Sequence, residues 1–247
     1  MKLALSGVGH SYFGKTIIED FDLTLEAGEV VALVGPSGCG KTTILQIAAD
    51  LIEASRGKVL RNYARHAVVF QEPRLLPWMT TLDNIAYGLT VSGINVRHAH
   101  ELATERALQV GLEQSDLAKY PVELSGGMRQ RASVARALAV NPDVIYFDEP
   151  FTAVDVGLKR ILQDLVIAAA ARESFSALFV THDLSEAVRV ADRLIVLSAR
   201  EGGVVAIRQI DGVPGQRSNR EIFECVEAWS QERAFAELFG YEDRGRL

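Results

Sequence analysis

The chain has 247 residues, 48% hydrophobic and 23% charged, a globular composition whose length suits one large domain or one domain with a smaller inserted lobe. Its formal net charge of −6 argues against a nucleic-acid binder and against a polybasic membrane anchor. No apolar run approaches the roughly 18–20 residues of a membrane span, the apolar start at residues 1–5 is too short for a signal peptide, and the two cysteines, Cys39 and Cys225, read as free thiols of a reducing compartment. The expectation is a soluble, intracellular protein.

Residues 2–8 and 21–26 are expected as strands. In the second, Phe21, Leu23 and Leu25 alternate with Asp22, Thr24 and Glu26, the period of a half-buried strand. The segment 10–14 between them is expected as a loop. It carries Tyr12, an aromatic with two readings: a core side chain, or a platform for an adenine face. Residues 30–34 then form a short apolar run, a buried strand, followed by a glycine-rich turn and a helix from Lys41 to about Ile52. Gly35, Gly40, Lys41 and Thr42 fit G-x-x-x-x-G-K-[ST], the phosphate-binding P-loop, with Ser37, Gly38 and Thr43 completing the cradle. Glycines let backbone N–H groups turn inward around a phosphate, and the helix N-terminus adds further amides and the positive end of its dipole. Lys41 would reach the β- and γ-phosphates and Thr42 would ligate Mg²⁺. The chain is therefore expected to bind a nucleoside triphosphate.

Residues 67–70 read as another buried strand, ending in the loop Gln71 to Met79. That loop is rich in large apolar residues, which either fold back into the core or form a docking patch for another protein. Thr80 to Asp83 resembles a helix start with a capping acid. A helical pattern runs from 96 to 119, an inserted helical lobe. Then Ser125-Gly126-Gly127 feeds a helix expected over 128–140. The turn is either a common glycine-containing N-cap or a second phosphate site. Residues 143–147 form a buried strand ending in Asp148-Glu149. Adjacent carboxylates there are costly unless they serve a purpose, and beside Mg²⁺ and a triphosphate they have one. Asp148 would hold the metal; Glu149 would orient or deprotonate the attacking water. Asp155 opens a helix over about 156–171. A strand at 177–180 leads to His182, placed where ligands collect in open α/β sheets. Strands at 194–197 and 204–207 follow, then an amphipathic helical stretch over 218–239.

These residues together resemble the ATP-binding cassette (ABC) ATPases over residues 2 to about 200. The P-loop, Gln71, the segment from Leu124 to Gly127, Asp148-Glu149, Asp155 and His182 occur in the family's order and approximate spacing. The resemblance implies an α/β fold: a P-loop NTPase core with a mixed β-sheet, an antiparallel β subdomain and an inserted α-helical subdomain. It divides the chain into 1–88 (P-loop core and antiparallel strands), 89–140 (helical subdomain), 141–210 (core continued) and 211–247 (C-terminal helices). It implies that Tyr12 stacks on adenine and that Gln71 senses Mg²⁺ and the attacking water and couples to a membrane partner. It also implies that His182 touches the γ-phosphate, that Asp155 joins the nucleotide site, and that Ser125 and Gly127 face the ATP of a second subunit. ATP and Mg²⁺ are the implied cofactors. The implied partners are a second copy bound head-to-tail, separate transmembrane permease subunits and, indirectly, a solute-binding protein, with no nucleic acid. The implied location is the cytoplasmic face of the cell membrane, as a peripheral subunit.

The loop at 71–78 with Asp83-Asn84-Ile85 looks like the subgroup importing nitrate, sulfonates, taurine or thiamine-precursor-like molecules. Two departures stand out: Ala153-Val154-Asp155 replaces the more usual Ala-Leu-Asp, and the segment 55–66 is about ten residues short, which implies a trimmed antiparallel arm. A soluble ABC ATPase without transport, and the ATPase of an exporter, remain the alternative readings.

Overall fold

The computed structural model describes residues 1–151, 156–173, 175–198, 203–232 and 235. In chain order the elements are β1 (Leu3–Tyr12), β2 (Lys15–Leu25), β3 (Val30–Val34), α1 (Lys41–Ala48), β4 (Arg56–Arg61), β5 (His66–Val69), α2 (Thr81–Val91) and α3 (Val96–Gln109). There follow α4 (Gly126–Ala139), β6 (Val144–Asp148), α5 (Val156–Glu173), β7 (Ser176–Thr181), α6 (Leu184–Val190), β8 (Arg193–Leu197), β9 (Val204–Gln209) and α7 (Asn219–Ser230). They fall into two compact units, residues 1–63 with 176–247, and residues 64–175.

The first unit carries an antiparallel sheet in the order β2-β1-β4 and the strands β7-β3-β8-β9. β3 is buried at every position and pairs in parallel with β7 and β8, which is why its sequence is an unbroken apolar run rather than an alternating one. β9 closes this set by pairing antiparallel with β8. Arg193 at the start of β8 forks onto Glu29 (2.8 and 3.3 Å) and donates to the Thr24 carbonyl, tying β8 to the end of β2. The Asp192 carboxylate accepts the Val30 amide at 2.8 Å, which sets the start of β3.

The antiparallel strands are longer than expected. Residues 10–12 belong to β1, so the anticipated loop shrinks to Phe13 and Gly14. Both have positive φ (49° and 79°), as a two-residue turn matched to strand twist requires. β4 is the short third strand on β1 in the segment expected to be trimmed. Helix α1 stops at Ala48, short of Ile52. Asp50 takes a left-handed φ of 63°, Leu51 N–H returns to the Gln46 carbonyl, and the Arg61 guanidinium caps the carbonyls of Ala48 and Ile47.

In the second unit β5 and β6 pair in parallel, from His66 opposite Val144 to Val69 opposite Phe147. β6 is buried throughout. Helices α2, α3 and α4 pack on one another, and Ile85, Leu89, Ala99, Ala103, Ala107, Val134 and Leu138 on them are buried. The helical pattern expected to run to residue 119 breaks at Gln109, because Gly111 turns the chain left-handed (φ 76°) and two 3₁₀ turns follow, at Gln114–Asp116 and Pro121–Glu123.

Candidate functional site

The P-loop starts where β3 ends, and its geometry explains its residue types. A Cβ on Gly35 would lie 2.5 Å from the Leu197 carbonyl oxygen, so only glycine lets the chain pass the end of β8. Gly38 and Gly40 have φ of 80° and 96°, turning the loop back over the N-terminus of α1, where Gly40 is the cap residue. Lys41, 5% exposed, points back into the loop and donates to the carbonyls of Gly35 (2.7 Å) and Pro36 (2.9 Å). A buried ammonium held by neutral carbonyls exchanges them readily for phosphate oxygens, a stronger charge-assisted pairing. Ser37, Gly38 and Thr42 are exposed and Thr43 half-buried on the first turn of α1. Helix amides there have no intrahelical acceptor. This cradle of glycine turn, helix start and inward lysine fits a triphosphate, and the Thr42 hydroxyl is a hard oxygen donor suited to Mg²⁺.

Two further predicted residues border this loop. Val34 is the register partner of Thr181, so Gly35 and His182 leave adjacent parallel strands at the same level. His182 is exposed there. The turn after it is braced: Thr181 donates its hydroxyl to the buried Glu186 and accepts the Asp183 amide, while Asp183 caps α6. Tyr12, 42% exposed, ends β1 opposite Lys15. The hairpin lies against the P-loop, since a Cβ on Gly40 would come within 3.3 Å of both the Ile17 carbonyl oxygen and the Ile18 side chain.

The second unit holds the other predicted residues. Val69 pairs with Phe147, so Gln71 and Glu149 each lie two residues beyond a register pair on adjacent parallel strands. Gln71 is exposed, Asp148 is 8% exposed, and Glu149 is half-buried. Glu149 has φ 44°, a left-handed conformation that a glutamate adopts at a cost and that clusters at working sites. Ser125, exposed, caps α4, its oxygen accepting the Met128 amide at 3.2 Å. The helix therefore begins at Gly126, two residues earlier than expected, and Gly127 lies in its first turn. Asp155, with its neighbours 152–154, lies outside the described residues.

Sequence reasoning missed what holds the loop at 71–80. Asn84 is fully buried and donates to the carbonyls of Leu76, Met79 and Thr80 (3.0–3.1 Å) while accepting the Leu76 amide at 2.7 Å. Arg136 reaches the carbonyls of Arg74 and Pro73 (2.9 and 2.8 Å), and burial lowers its pKa. The Arg74 guanidinium lies 3.9 Å over the Phe70 ring. Held this way, the loop half-buries Leu75 and Leu76 and projects Trp78, which is 70% exposed. Of the loop's large apolar residues, Leu75 and Leu76 are thus partly packed, whereas Trp78 stands out from the surface. An asparagine four residues into a helix pattern is the signal that could have found it.

The sequence matches the ABC transporter family over residues 18–152, more than half of the chain. An aliphatic sulfonates import ATP-binding protein of Corynebacterium glutamicum is 41% identical over 222 residues, covering 90% of this chain and 89% of that protein. The taurine import ATP-binding protein of Escherichia coli K12 is 40% identical over 210 residues, 82% of each. Among solved structures, the dimeric MJ0796 ABC transporter cassette superposes with a TM-score of 0.78 at 28% identity, over 85% of this chain and 99% of that one. The same cassette in a post-hydrolysis state bound to ADP and phosphate superposes at 0.76. This chain belongs to the ABC transporter family. It has the family's P-loop NTPase fold, binds ATP and is an ATPase.

Proposed function

We propose that this chain is the ATP-hydrolysing subunit of an importer. It works as a head-to-tail dimer beneath separate transmembrane subunits, at the cytoplasmic face of the membrane, with a solute of the sulfonate or taurine class delivered by a binding protein. The observation that carries this reading is roughly 40% identity, over more than four fifths of the chain, to relatives named for sulfonate and taurine import. Among the described residues no helix is long and apolar enough to cross a membrane, which suits a subunit that docks on others.

The roles follow from chemistry at each position. The amides of Gly38, Gly40, Lys41, Thr42 and Thr43 receive the phosphates, and Lys41 moves from the Gly35 and Pro36 carbonyls onto phosphate oxygens. The Thr42 hydroxyl and the Asp148 carboxylate hold Mg²⁺, which neutralises phosphate charge when bound. Glu149 accepts a hydrogen bond or proton from the attacking water. His182 contacts the γ-phosphate, and Gln71 reports the state of the site to the membrane partner. Tyr12 stacks on the adenine. Ser125 and Gly127 of one chain face the ATP held on the P-loop of the other, and Asp155 is proposed at the same junction.

The test is ATP hydrolysis by the chain co-assembled with its permease and binding protein in proteoliposomes. An alkanesulfonate or taurine on the binding-protein side should stimulate turnover several-fold. Stimulation by an unrelated solute, with none by any sulfonate, would overturn the solute class while leaving the ATPase assignment intact.

A further inference from the structure

Tyr12 is exposed at the tip of a two-residue turn, a place where an aromatic side chain ordinarily samples several rotamers and loses that freedom when it binds. Here a second ring stands against it. His10, two residues earlier on β1 and so on the same strand face, meets Tyr12 edge-to-face with ring centroids 4.6 Å apart and planes at 75°. The imidazole is itself fastened. Its Nδ1 lies 3.4 Å from the Ser55 hydroxyl, and the Ser55 amide donates to the Gly9 carbonyl at 2.8 Å, so the approach to β4 clamps β1 at this point. Its Nε2 is buried and makes no hydrogen bond. That nitrogen gains nothing from being polar, so the ring's shape rather than its basicity is what the position uses.

The same strand position faces the P-loop through β2. His10 pairs with Ile18, whereas Ser11 pairs with Thr16, leaving Ile17 as an extra residue bulged out of the ladder. The Ile17 carbonyl and the Ile18 side chain are the groups that crowd Gly40. A nucleotide with its phosphates on α1 thus finds Tyr12 about two strand residues, or roughly 7 Å, beyond the point where the hairpin touches the cradle.

We propose that His10 is a positioning residue for nucleotide binding: clamped by Ser55, it holds the Tyr12 ring in one orientation for the adenine to stack on. This rests on the reading of Tyr12 as the adenine platform. Sparing the adenine the cost of ordering one mobile side chain corresponds to an affinity effect of about threefold to tenfold.

The experiment is a double-mutant cycle on the full chain. The dissociation constant of labelled ATP is measured by equilibrium dialysis for wild type, His10→Ala, Tyr12→Ala and the double variant, with His10→Phe and Ser55→Ala alongside. Inorganic tripolyphosphate, measured by competition, serves as the base-free control, and melting temperature reports folding. His10→Ala is expected to weaken ATP binding about threefold to tenfold, to do nothing further once Tyr12 is alanine, and to leave tripolyphosphate affinity unchanged. His10→Phe should recover most of the loss, and Ser55→Ala should show part of it. Weakening by Tyr12→Ala without any effect of His10→Ala overturns the positioning role and keeps the platform. An equal loss from His10→Ala with and without Tyr12, or an equal loss for tripolyphosphate, shows a merely structural role and overturns it too. If Tyr12→Ala leaves ATP affinity unchanged, the platform reading itself fails, and the positioning role with it.

Discussion

Glu149 and Lys41 show two ways a single residue is prepared for work. Lys41 is buried yet satisfied, its ammonium resting on two carbonyls at the positive end of a helix, so its charge is stored where a phosphate will need it. Glu149 is instead placed by backbone strain: its φ of 44° turns the chain left-handed just past the end of β6, where it is half-buried and Asp148 before it is buried. If Glu149 handles the attacking water, Glu149→Gln is expected to bind ATP with near-normal affinity and hydrolyse it at least about a hundredfold more slowly, the scale of a lost general base. Single-turnover hydrolysis beside equilibrium ATP binding checks this, and near-normal turnover would remove Glu149 from the role.

At the scale of elements, two buried polar side chains carry segments with no regular structure of their own. Asn84 at the start of α2 supplies four hydrogen bonds to the loop at 76–80. Asn84→Ala strands those groups and is expected to cost about 1–3 kcal/mol, seen as a lower melting temperature. Trp78→Asp, at a 70% exposed position, is expected to leave the melting temperature and ATP binding unchanged and to block assembly with the permease. A large stability loss in Trp78→Asp would show that the ring belongs to the fold rather than to an interface. Arg217 does the same service before α7. All of its donors are spent on the carbonyls of Asp211, Val188, Ala191, Ile210 and Gly212, and burial lowers its pKa despite nearby Asp192. Arg217→Met removes the charge but leaves five acceptors without donors. The expected loss is about 3 kcal/mol or more in chemical denaturation, and α7 is expected to lose its amide-exchange protection first.

The whole-molecule question is whether one ATP is shared between two chains. Each chain has two helix starts suited to phosphate, α1 behind the P-loop and α4 behind Ser125. One ATP per chain makes sense of both when each nucleotide lies between the P-loop of one copy and Ser125 of the other. Lys41→Ala and Ser125→Arg distinguish the arrangements when combined in heterodimers purified through two tags. With one variant in each chain, a shared site leaves one site intact and one doubly damaged; with both variants in one chain, it leaves none intact. The first heterodimer is expected to hydrolyse ATP faster. The reverse order would place each complete site within a single chain.

Much of the candidate site is legible in the sequence, because its chemistry depends on local patterns. An apolar run, a glycine turn and Lys41 on a helix start specify a phosphate cradle within thirteen residues, and Asp148-Glu149 stand out because carboxylates rarely end a buried strand. The strand and helix types were legible for the same reason, through period and apolar continuity. Element ends were not. Asp50, Gly111 and Phe13 turn left-handed where hydrogen bonding and packing, not propensity, decide the stop. Non-local pairings were equally silent: nothing in the order of residues says that Val34 lies beside Thr181, that Asn84 holds Leu76, or that five carbonyls from two segments converge on Arg217. Those contacts join residues far apart in sequence or face backbone atoms, which carry no residue identity. Local chemistry was written in the sequence, and tertiary structure alone decided which rings, carbonyls and strand ends would meet.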